Sequence, residues 1–109
     1  MYRALIVARM DPGAADKIAH VFTESDHHSD LPALIGVRGR SLFRFGELYL
    51  HLIEGERPIG QAVAEHRDHP QFQRISDELR PHVSPYHLDT WRGPEDAMAQ
   101  EFYRWEQRD

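Results

Sequence analysis

Two patterns of apolar residues in the first half of the chain predict strands. Residues 2 to 10 contain the uninterrupted run Leu5-Ile6-Val7 between small alanines, which is typical of a strand buried on both sides at the centre of a sheet. From Ala33 to Glu54 the pattern predicts one long β-hairpin, because apolar residues alternate with arginines. On the first arm the apolar parity holds Ile35, Val37, Phe43 and Phe45, and the other parity holds Arg38, Arg40 and Arg44.

The second arm of this hairpin also has two faces, one made of three leucines and the other of Tyr49, His51 and Ile53. We predict that the leucine face packs against the core and that a turn of two or four residues around Phe45-Gly46 brings Phe43 to the same face. Arg40 then lies directly opposite His51, on the face turned away from the helices. Because Tyr49 and Ile53 flank His51 there, we expect this face to contact more than water.

Apolar residues at helical spacing predict helices on either side of the hairpin. Asp11-Pro12 is typical of an N-cap followed by proline, and the first helix should run to about Ser25, with residues 26 to 32 as a polar connection. After the hairpin, the turn at residues 55 to 58 leads into a helix that Pro70 interrupts, and a second short helix ends at Pro81. The residues on the apolar helical faces are Ala15, Ile18, Ala19, Phe22, Ile59, Ala62, Val63, Phe72, Ile75 and Leu79.

The last quarter of the chain has a weaker pattern. Residues 81 to 97 contain three prolines and no clear period, so we expect an ordered covering loop. Residues 98 to 105 fit either the end of a helix begun at Pro94 or a final strand, and their aromatic residues favour the strand. The resulting order is the α+β, ferredoxin-like split βαβ pattern, β-α-β-β-α-β, a four-stranded antiparallel sheet with helices on one face. We expect a pocket, a partner subunit or both to cover the other face, because it is too apolar to stay bare.

Composition narrows the class of protein. At 109 residues we expect one domain, spanning residues 1–109. The net charge of −5 argues against a nucleic-acid-binding surface, which needs a basic face. The chain has no cysteine, so it forms no disulfide and has no thiolate nucleophile, which fits a cytoplasmic protein. The apolar run at the start is too short for a signal sequence or a membrane span.

Several segments together resemble the tetracenomycin-type aromatic polyketide cyclases of actinobacteria, and the resemblance extends over nearly the whole chain. It implies a homodimer with the ferredoxin-like fold and no cofactor. Each subunit would hold a reactive poly-β-ketone in a pocket where its rings are closed, and an acyl carrier protein is the candidate for delivering this substrate. The segments that carry the resemblance are residues 10–12, 30–32, 36–45, 48–54, 69–72 and 102–105.

The resemblance also implies roles for single residues. The family's active-site histidine on the third strand matches His51, its arginine on the second strand matches Arg40, and its aspartate at the end of the first helix matches Asp26. The family has a further histidine just before that aspartate, where this chain has a serine. Which residue replaces that imidazole stays open, and the candidates for contacting the substrate are Ser25, His27 and His28, together with Tyr49 and Ile53.

The residue types themselves suit ring closure. A methylene between two carbonyl groups loses a proton to a weak base, and His51 has an ordinary pKa of about 6.5. The planar fork of Arg40 can hold an enolate or carbonyl oxygen. Asp26 can orient an imidazole or move a proton itself. Much of the acceleration would come from holding a flexible chain in one reactive shape.

Other functions remain open from the sequence. The cluster of Asp26, His27, His28 and Asp30 imitates a metal site, but adjacent loop histidines point in different directions, so we expect no metal. A cofactor-independent monooxygenase of the same fold, acting on an anthrone, would use a similar pocket. A non-catalytic ligand-binding subunit of a polyketide synthase complex is the third alternative.

Overall fold

The structure is a computed structural model that describes residues 1–87, 89 and 94–107. Its sheet has four antiparallel strands in the order β2-β3-β1-β4, so the predicted α+β, ferredoxin-like arrangement is confirmed. None of the helices in these residues is long and apolar enough to cross a membrane. The strands are β1 (Tyr2–Met10), β2 (Val37–Phe45), β3 (Leu48–Gly55) and β4 (Val83–Pro85), and the helices are α1 (Ala15–His28), α2 (Leu31–Ile35), α3 (Ile59–Glu65) and α4 (Pro70–Leu79).

The first helix begins as predicted and ends later. Asp11 accepts a hydrogen bond from the backbone N–H of Gly13 (3.0 Å), which caps a short 3₁₀ turn at Pro12–Ala14 before α1. The helix continues to His28, three residues beyond the predicted end, because polar side chains on a solvent-exposed face do not stop a helix. The predicted polar connection also contains α2, whose second residue is Pro32, and Pro32 is compatible with the first turn of a helix.

The helices cover the opposite face of the sheet from the one predicted. Tyr49, His51 and Ile53 are buried at 4–5% exposure, and the three leucines that alternate with them on β3 are only half-buried. The predicted leucine core face was therefore wrong, and Arg40 and His51 point towards the helices. The prediction assumed that charged groups avoid the covered face. Here they are paired with each other and with neighbouring polar groups, which makes their burial tolerable.

The hairpin turn has the predicted length but lies one residue further along the chain. Phe45 pairs with Leu48, so the two-residue turn is Gly46-Glu47, and Gly46 has the positive φ of 62° that suits glycine. Phe43 shares a face with the leucines, as predicted. Arg40 pairs with Ile53 and not with His51, so Arg40 and His51 are diagonal neighbours on one face. The direct opposition predicted for them was wrong by two residues.

A β-bulge near the start of β2 interrupts its alternation. Val37 pairs with Gly55 and Gly39 pairs with Glu54, which leaves Arg38 as an extra residue on β2. Val37 consequently packs on the helical side, although its parity matches that of Phe43 on the open side. The single extra residue lets Val37 and Arg40 line the same space.

The fourth strand is not the one that the sequence favoured. β4 pairs with the end of β1, within the segment predicted to be a covering loop, part of which lies outside the described residues. Of the predicted final strand only Met98 makes a bridge, to Ile6, and the chain from 99 to 107 has no regular structure. Its aromatic residues Phe102, Tyr103 and Trp105 are exposed, so strand propensity alone did not place them in the sheet.

Candidate functional site

Three elements bring four polar side chains into one hydrogen-bonded row. Asp26 comes from the last turn of α1, Arg40 from β2, and Tyr49 and His51 from β3. On β3 the two residues are two positions apart and therefore share a face. The row runs from Asp26 at its exposed end, through Arg40 and His51, to Tyr49 at its buried end.

Arg40 is the centre of this row. Its Nε and Nη2 donate to the two carboxylate oxygens of Asp26 at 2.9 Å each, a bidentate pair. Its Nη1 lies 2.8 Å from Nε2 of His51. The guanidinium carbon also lies 4.8 Å from the ring centre of Phe22, which is a cation–π distance. These contacts fix the guanidinium plane, and only 15% of the Arg40 side chain is exposed.

His51 is held in one neutral form. Arginine has only donors, so Nε2 of His51 must accept the hydrogen bond from Arg40, and the imidazole hydrogen must lie on Nδ1. Burial, helped by the positive charge of Arg40, lowers the pKa of His51 to about 3. The edge of Phe22 packs against the imidazole at 4.9 Å between ring centres. The imidazole is thus uncharged at neutral pH and fixed in orientation.

Tyr49 completes the buried end of the row. Its hydroxyl oxygen lies 3.1 Å from Nδ1 of His51, and because that nitrogen carries the hydrogen, the tyrosine oxygen accepts it. Burial raises the pKa of Tyr49 well above its usual range, although the charge of Arg40 opposes this. The phenol is therefore neutral.

These groups form part of the wall of a cavity of about 760 Å³ between the sheet and the helices. Arg40, Tyr49, His51 and Ile53 supply the sheet side of the wall. The volume lies within the range of small-molecule binding sites, about 300–1,000 Å³. The opposite side is mainly apolar and comes from the helices, with Phe22, Leu31, Ile35, Phe72, Ile75 and Leu79.

Of the eight residues predicted for the site, five lie at the cavity or contact a residue that lines it, and three do not. Arg40, His51, Tyr49 and Ile53 line the cavity, and Asp26 contacts Arg40. The remaining three lie on α1 away from the cavity wall. The hydroxyl of Ser25 is buried 3.4 Å from that of Ser29, and His27 and His28 are exposed.

Sequence reasoning missed the contribution of α4 to the cavity. The sequence predicted only that its apolar residues form one face of a short helix. In the structure Phe72, Ile75 and Leu79 are half-buried and line the cavity. The signal was the amphipathic pattern of a short helix with no fully buried residue. Polar residues at the same side of the cavity are Arg67, Asp68, Gln73, Ser76 and Arg80.

The described residues contain no group of three or more histidine, aspartate or glutamate side chains that could hold a metal ion. The acidic and histidine residues between 26 and 30, which resemble a metal site in sequence, contact different partners. Asp26 contacts Arg40, His28 lies 3.8 Å from Glu24, and Asp30 lies 3.7 Å from His69.

Comparison with known proteins identifies the family of this chain. Residues 2–106 match the model of the polyketide synthesis cyclase family. The chain is 54% identical to an uncharacterised protein of Streptomyces coelicolor (97% of this chain, 96% of the relative). It is 48% identical to the polyketide synthase CurG of Streptomyces cyaneus (97% and 98%) and 44% identical to the tetracenomycin F2 cyclase of Streptomyces glaucescens (95% and 94%).

Two solved structures resemble this one to different degrees. The structure of the tetracenomycin F2 cyclase, a type-II polyketide cyclase, superposes with a TM-score of 0.90 and covers 99% of this chain and 100% of that one. A structure assigned to an antibiotic biosynthesis monooxygenase from Nitrosomonas europaea has a TM-score of 0.54 and 8% identity over 77% of this chain and 87% of that one, which shows the fold alone. Because the family match extends over nearly the whole chain and the fold agrees, this chain belongs to the polyketide synthesis cyclase family.

Proposed function

We propose that this protein closes rings in an aromatic poly-β-ketone by intramolecular aldol condensation and loss of water, without a cofactor. The observation that carries the proposal is the pair of Arg40 and His51, a cation and a neutral base in contact at the wall of a largely apolar cavity. Aldol closure needs these two groups, one to accept the proton of a methylene and one to hold the developing enolate oxygen.

In this proposal His51 is the base. Its Nε2 has the free electron pair, and a bound substrate competes with Arg40 for it. When Arg40 turns its donors to the enolate oxygen, the negative charge of the enolate offsets that of the guanidinium, and the pKa of His51 rises from its low value. The base thus becomes stronger as the enolate forms.

Asp26 positions the cation. The bidentate contact holds Nε and Nη2, so the rigid guanidinium stays paired with Asp26 while Nη1 exchanges Nε2 of His51 for the enolate oxygen. Tyr49 and Ile53 flank His51 on the cavity wall and are proposed to contact the substrate. We leave Ser25, His27 and His28 out of the proposed contact set, because their side chains do not line the cavity.

The apolar side of the cavity is proposed to fold the substrate. A poly-β-ketone chain has many conformers, and only one brings a given methylene close to a given carbonyl carbon. Holding that conformer removes much of the entropy cost of closure. We assign this role to the half-buried side chains of α4, Phe72, Ile75 and Leu79, which face the sheet across the cavity.

We also propose a cytoplasmic homodimer that receives its substrate from an acyl carrier protein. The support for a dimer is the open face of the sheet, where Phe43 and Phe45 are 55% and 77% exposed beside half-buried leucines. The carrier protein follows from the chemistry, because reactive poly-β-ketones are not stable when free in solution.

The test uses tetracenomycin F2, the compound in the name of the relative that is 44% identical to this chain. We expect the purified protein to convert it to a product lighter by one water, with no oxygen consumed. The His51→Gln variant should lose roughly 10²–10⁴-fold in kcat, and His27→Gln, on the exposed side of α1, should not. No conversion by the wild-type protein contradicts the proposal. Oxygen uptake with an anthrone would favour the monooxygenase alternative.

A further inference from the structure

The hydroxyl of Tyr49 has a hydrogen that the protein does not use. Its oxygen accepts the Nδ1–H of His51, so its own hydrogen points away from the imidazole. Within the described part of the chain this hydroxyl has no other hydrogen-bond partner, and Tyr49 is only 4% exposed. A buried donor without an acceptor destabilises a protein. The tyrosine lines the cavity, so a molecule bound there can supply the acceptor.

We propose that Tyr49 is the general acid of the ring closure and that it donates its hydroxyl hydrogen to the carbonyl oxygen that becomes the aldol hydroxyl. This inference rests on the proposed function and adds a third catalytic residue to His51 and Arg40. His51 is then used twice. Its Nε2 acts as the base, and its Nδ1 supplies the hydrogen that replaces the one given up by Tyr49.

The step balances without a further reactant. Nε2 of His51 takes a proton from the methylene, and the electron pair of that C–H bond forms the new bond to the carbonyl carbon. The π electrons of that carbonyl move to its oxygen, which takes the hydrogen of Tyr49, and the tyrosine oxygen takes the hydrogen from Nδ1. One hydrogen has moved from carbon to oxygen, and the neutral imidazole now carries its hydrogen on Nε2. Exchange with water restores the starting tautomer.

Burial explains why the two groups must act together. A phenol that gave up its hydrogen alone would leave a phenolate in a site that disfavours charge. An imidazole that took a proton alone would become a buried cation beside Arg40. Passing a hydrogen from His51 to Tyr49 during the reaction keeps both groups neutral before and after it.

The kinetic test uses tetracenomycin F2 and the variant Tyr49→Phe, which keeps the ring. We expect kcat to fall roughly 10²-fold or more with little change in KM. Tyr2→Phe, a half-exposed tyrosine of β1, is the matched control and should match the wild type. The double variant Tyr49→Phe/His51→Gln should lose no more than His51→Gln alone, because the two residues act in one step. Additive losses, or a fully active Tyr49→Phe variant, would overturn the inference.

The second test determines the tautomer of His51 by long-range ¹⁵N–¹H correlation NMR. The spectra are recorded at a pH well above the ordinary histidine pKa of about 6.5. Two histidines serve as internal references. Nδ1 of His66 lies 2.8 Å from the carbonyl oxygen of Ala62 and must carry a hydrogen, whereas Nδ1 of His69 accepts from the backbone N–H of Gln71. We expect His51 to match His66. A match to His69 would make Tyr49 the donor to Nδ1, leave it no hydrogen for a substrate, and overturn the inference.

The two proposals fail in different ways. If the wild-type protein converts tetracenomycin F2 and Tyr49→Phe does so equally well, only the role of Tyr49 is wrong. If the wild-type protein leaves the compound unchanged, the proposed function itself is contradicted, whatever tautomer His51 has.

Discussion

Arg40 satisfies requirements that a lysine could not. Its planar group contacts a carboxylate in two places, an imidazole in a third and an aromatic face above. An ammonium group is a compact charge without this fork. A lysine would still supply the positive charge that, together with burial, lowers the pKa of His51. The fixed orientation of the imidazole, however, requires the guanidinium.

We therefore expect Arg40→Lys to lower turnover of tetracenomycin F2 by roughly 10²–10³-fold, the size of a lost charge-stabilising donor. Arg44→Lys is the control, because that arginine lies on the same strand and, within the described residues, donates only to the carbonyl oxygen of Gly46 (3.1 Å). Steady-state kinetics on both variants provide the comparison. An Arg40→Lys variant as active as the control would show that charge suffices.

The low pKa of His51 predicts a pH dependence of stability. The folded-state pKa of about 3 lies below the unfolded value of about 6.5, so between these pH values the unfolded chain binds a proton that the folded chain does not. Stability from this residue is present above pH 6.5 and falls by about 1.4 kcal/mol per pH unit on acidification towards pH 3.

Urea unfolding at several pH values in this window measures the effect. The wild-type free energy of unfolding should fall more steeply with acidification than that of His51→Gln, which lacks the titrating group. The comparison uses slopes, so a uniform loss of stability in the variant does not matter. Equal slopes would mean that the imidazole is not held neutral by its surroundings.

At this scale the sequence was informative about partners and not about geometry. Alternation placed Arg40 and His51 on one face, which is correct, but it could not locate the turn to within one residue. It also placed Tyr49 beside His51 without revealing their hydrogen bond, because spacing says nothing about which nitrogen of an imidazole has a hydrogen. Asp26 entered through the family resemblance, since the helix that holds it was predicted to end one residue earlier.

The end of β3 packs closely against the neighbouring elements at Gly55. A Cβ added to Gly55 would lie 2.7 Å from Cδ1 of Ile59 and 2.8 Å from the carbonyl oxygen of Gly36. The backbone oxygen cannot turn aside as a side chain can. Gly60, five residues later, is different, because its added Cβ would lie 3.6 Å from the sulfur of Met98, an ordinary contact.

We expect Gly55→Ala to destabilise the fold by about 1–3 kcal/mol through this overlap. Gly60→Ala lies inside α3 and should instead be neutral or stabilise by about 0.5–1 kcal/mol, because alanine is the better helix former. Urea unfolding of the two variants gives both values. Similar effects from the two substitutions would mean that the junction of β3 and α3 is looser than described.

Elements with strong periodicity were predicted well, and elements set by tertiary contacts were not. α3 and α4 follow from their apolar spacing and the prolines that bound them. The fourth strand was misplaced because Val83–Pro85 is only three residues long and gains its strand character from pairing with β1. The covered face of the sheet was misassigned for a similar reason, since both faces of the hairpin are partly apolar and only the helices decide between them.

At the scale of the whole molecule, the open face of the sheet is an exposed apolar surface. Its exposed aromatic residues, Phe43 and Phe45, stand on β2, an edge strand of the sheet. The half-buried side chains of β1 and β3 continue this apolar surface across the sheet. A face of this kind fits a two-fold interface in which one subunit covers another.

We expect light scattering to give a dimer mass at micromolar concentration and Phe43→Arg to shift it to a monomer, because a charge placed at the centre of an apolar interface is not paired. Leu34→Arg is the control, since Leu34 is similarly exposed but lies on α2. A monomeric wild-type protein, or a Phe43→Arg variant that stays dimeric, would show that the open face is not the interface.

The bulge in β2 makes the number of residues before Arg40 matter more than the identity of the bulged residue, Arg38. Arg38 is exposed and its guanidinium contacts Glu56 at the surface, so replacing its side chain should be tolerated. Deleting Arg38 is another matter. The shortened strand could keep Val37 at the cavity or keep Arg40 there, but alternation would send one of them to the far side of the sheet. A chain that loses this one surface position thereby loses one of the two side chains that β2 contributes to the cavity wall, so insertions and deletions here should be far rarer among functional variants than substitutions.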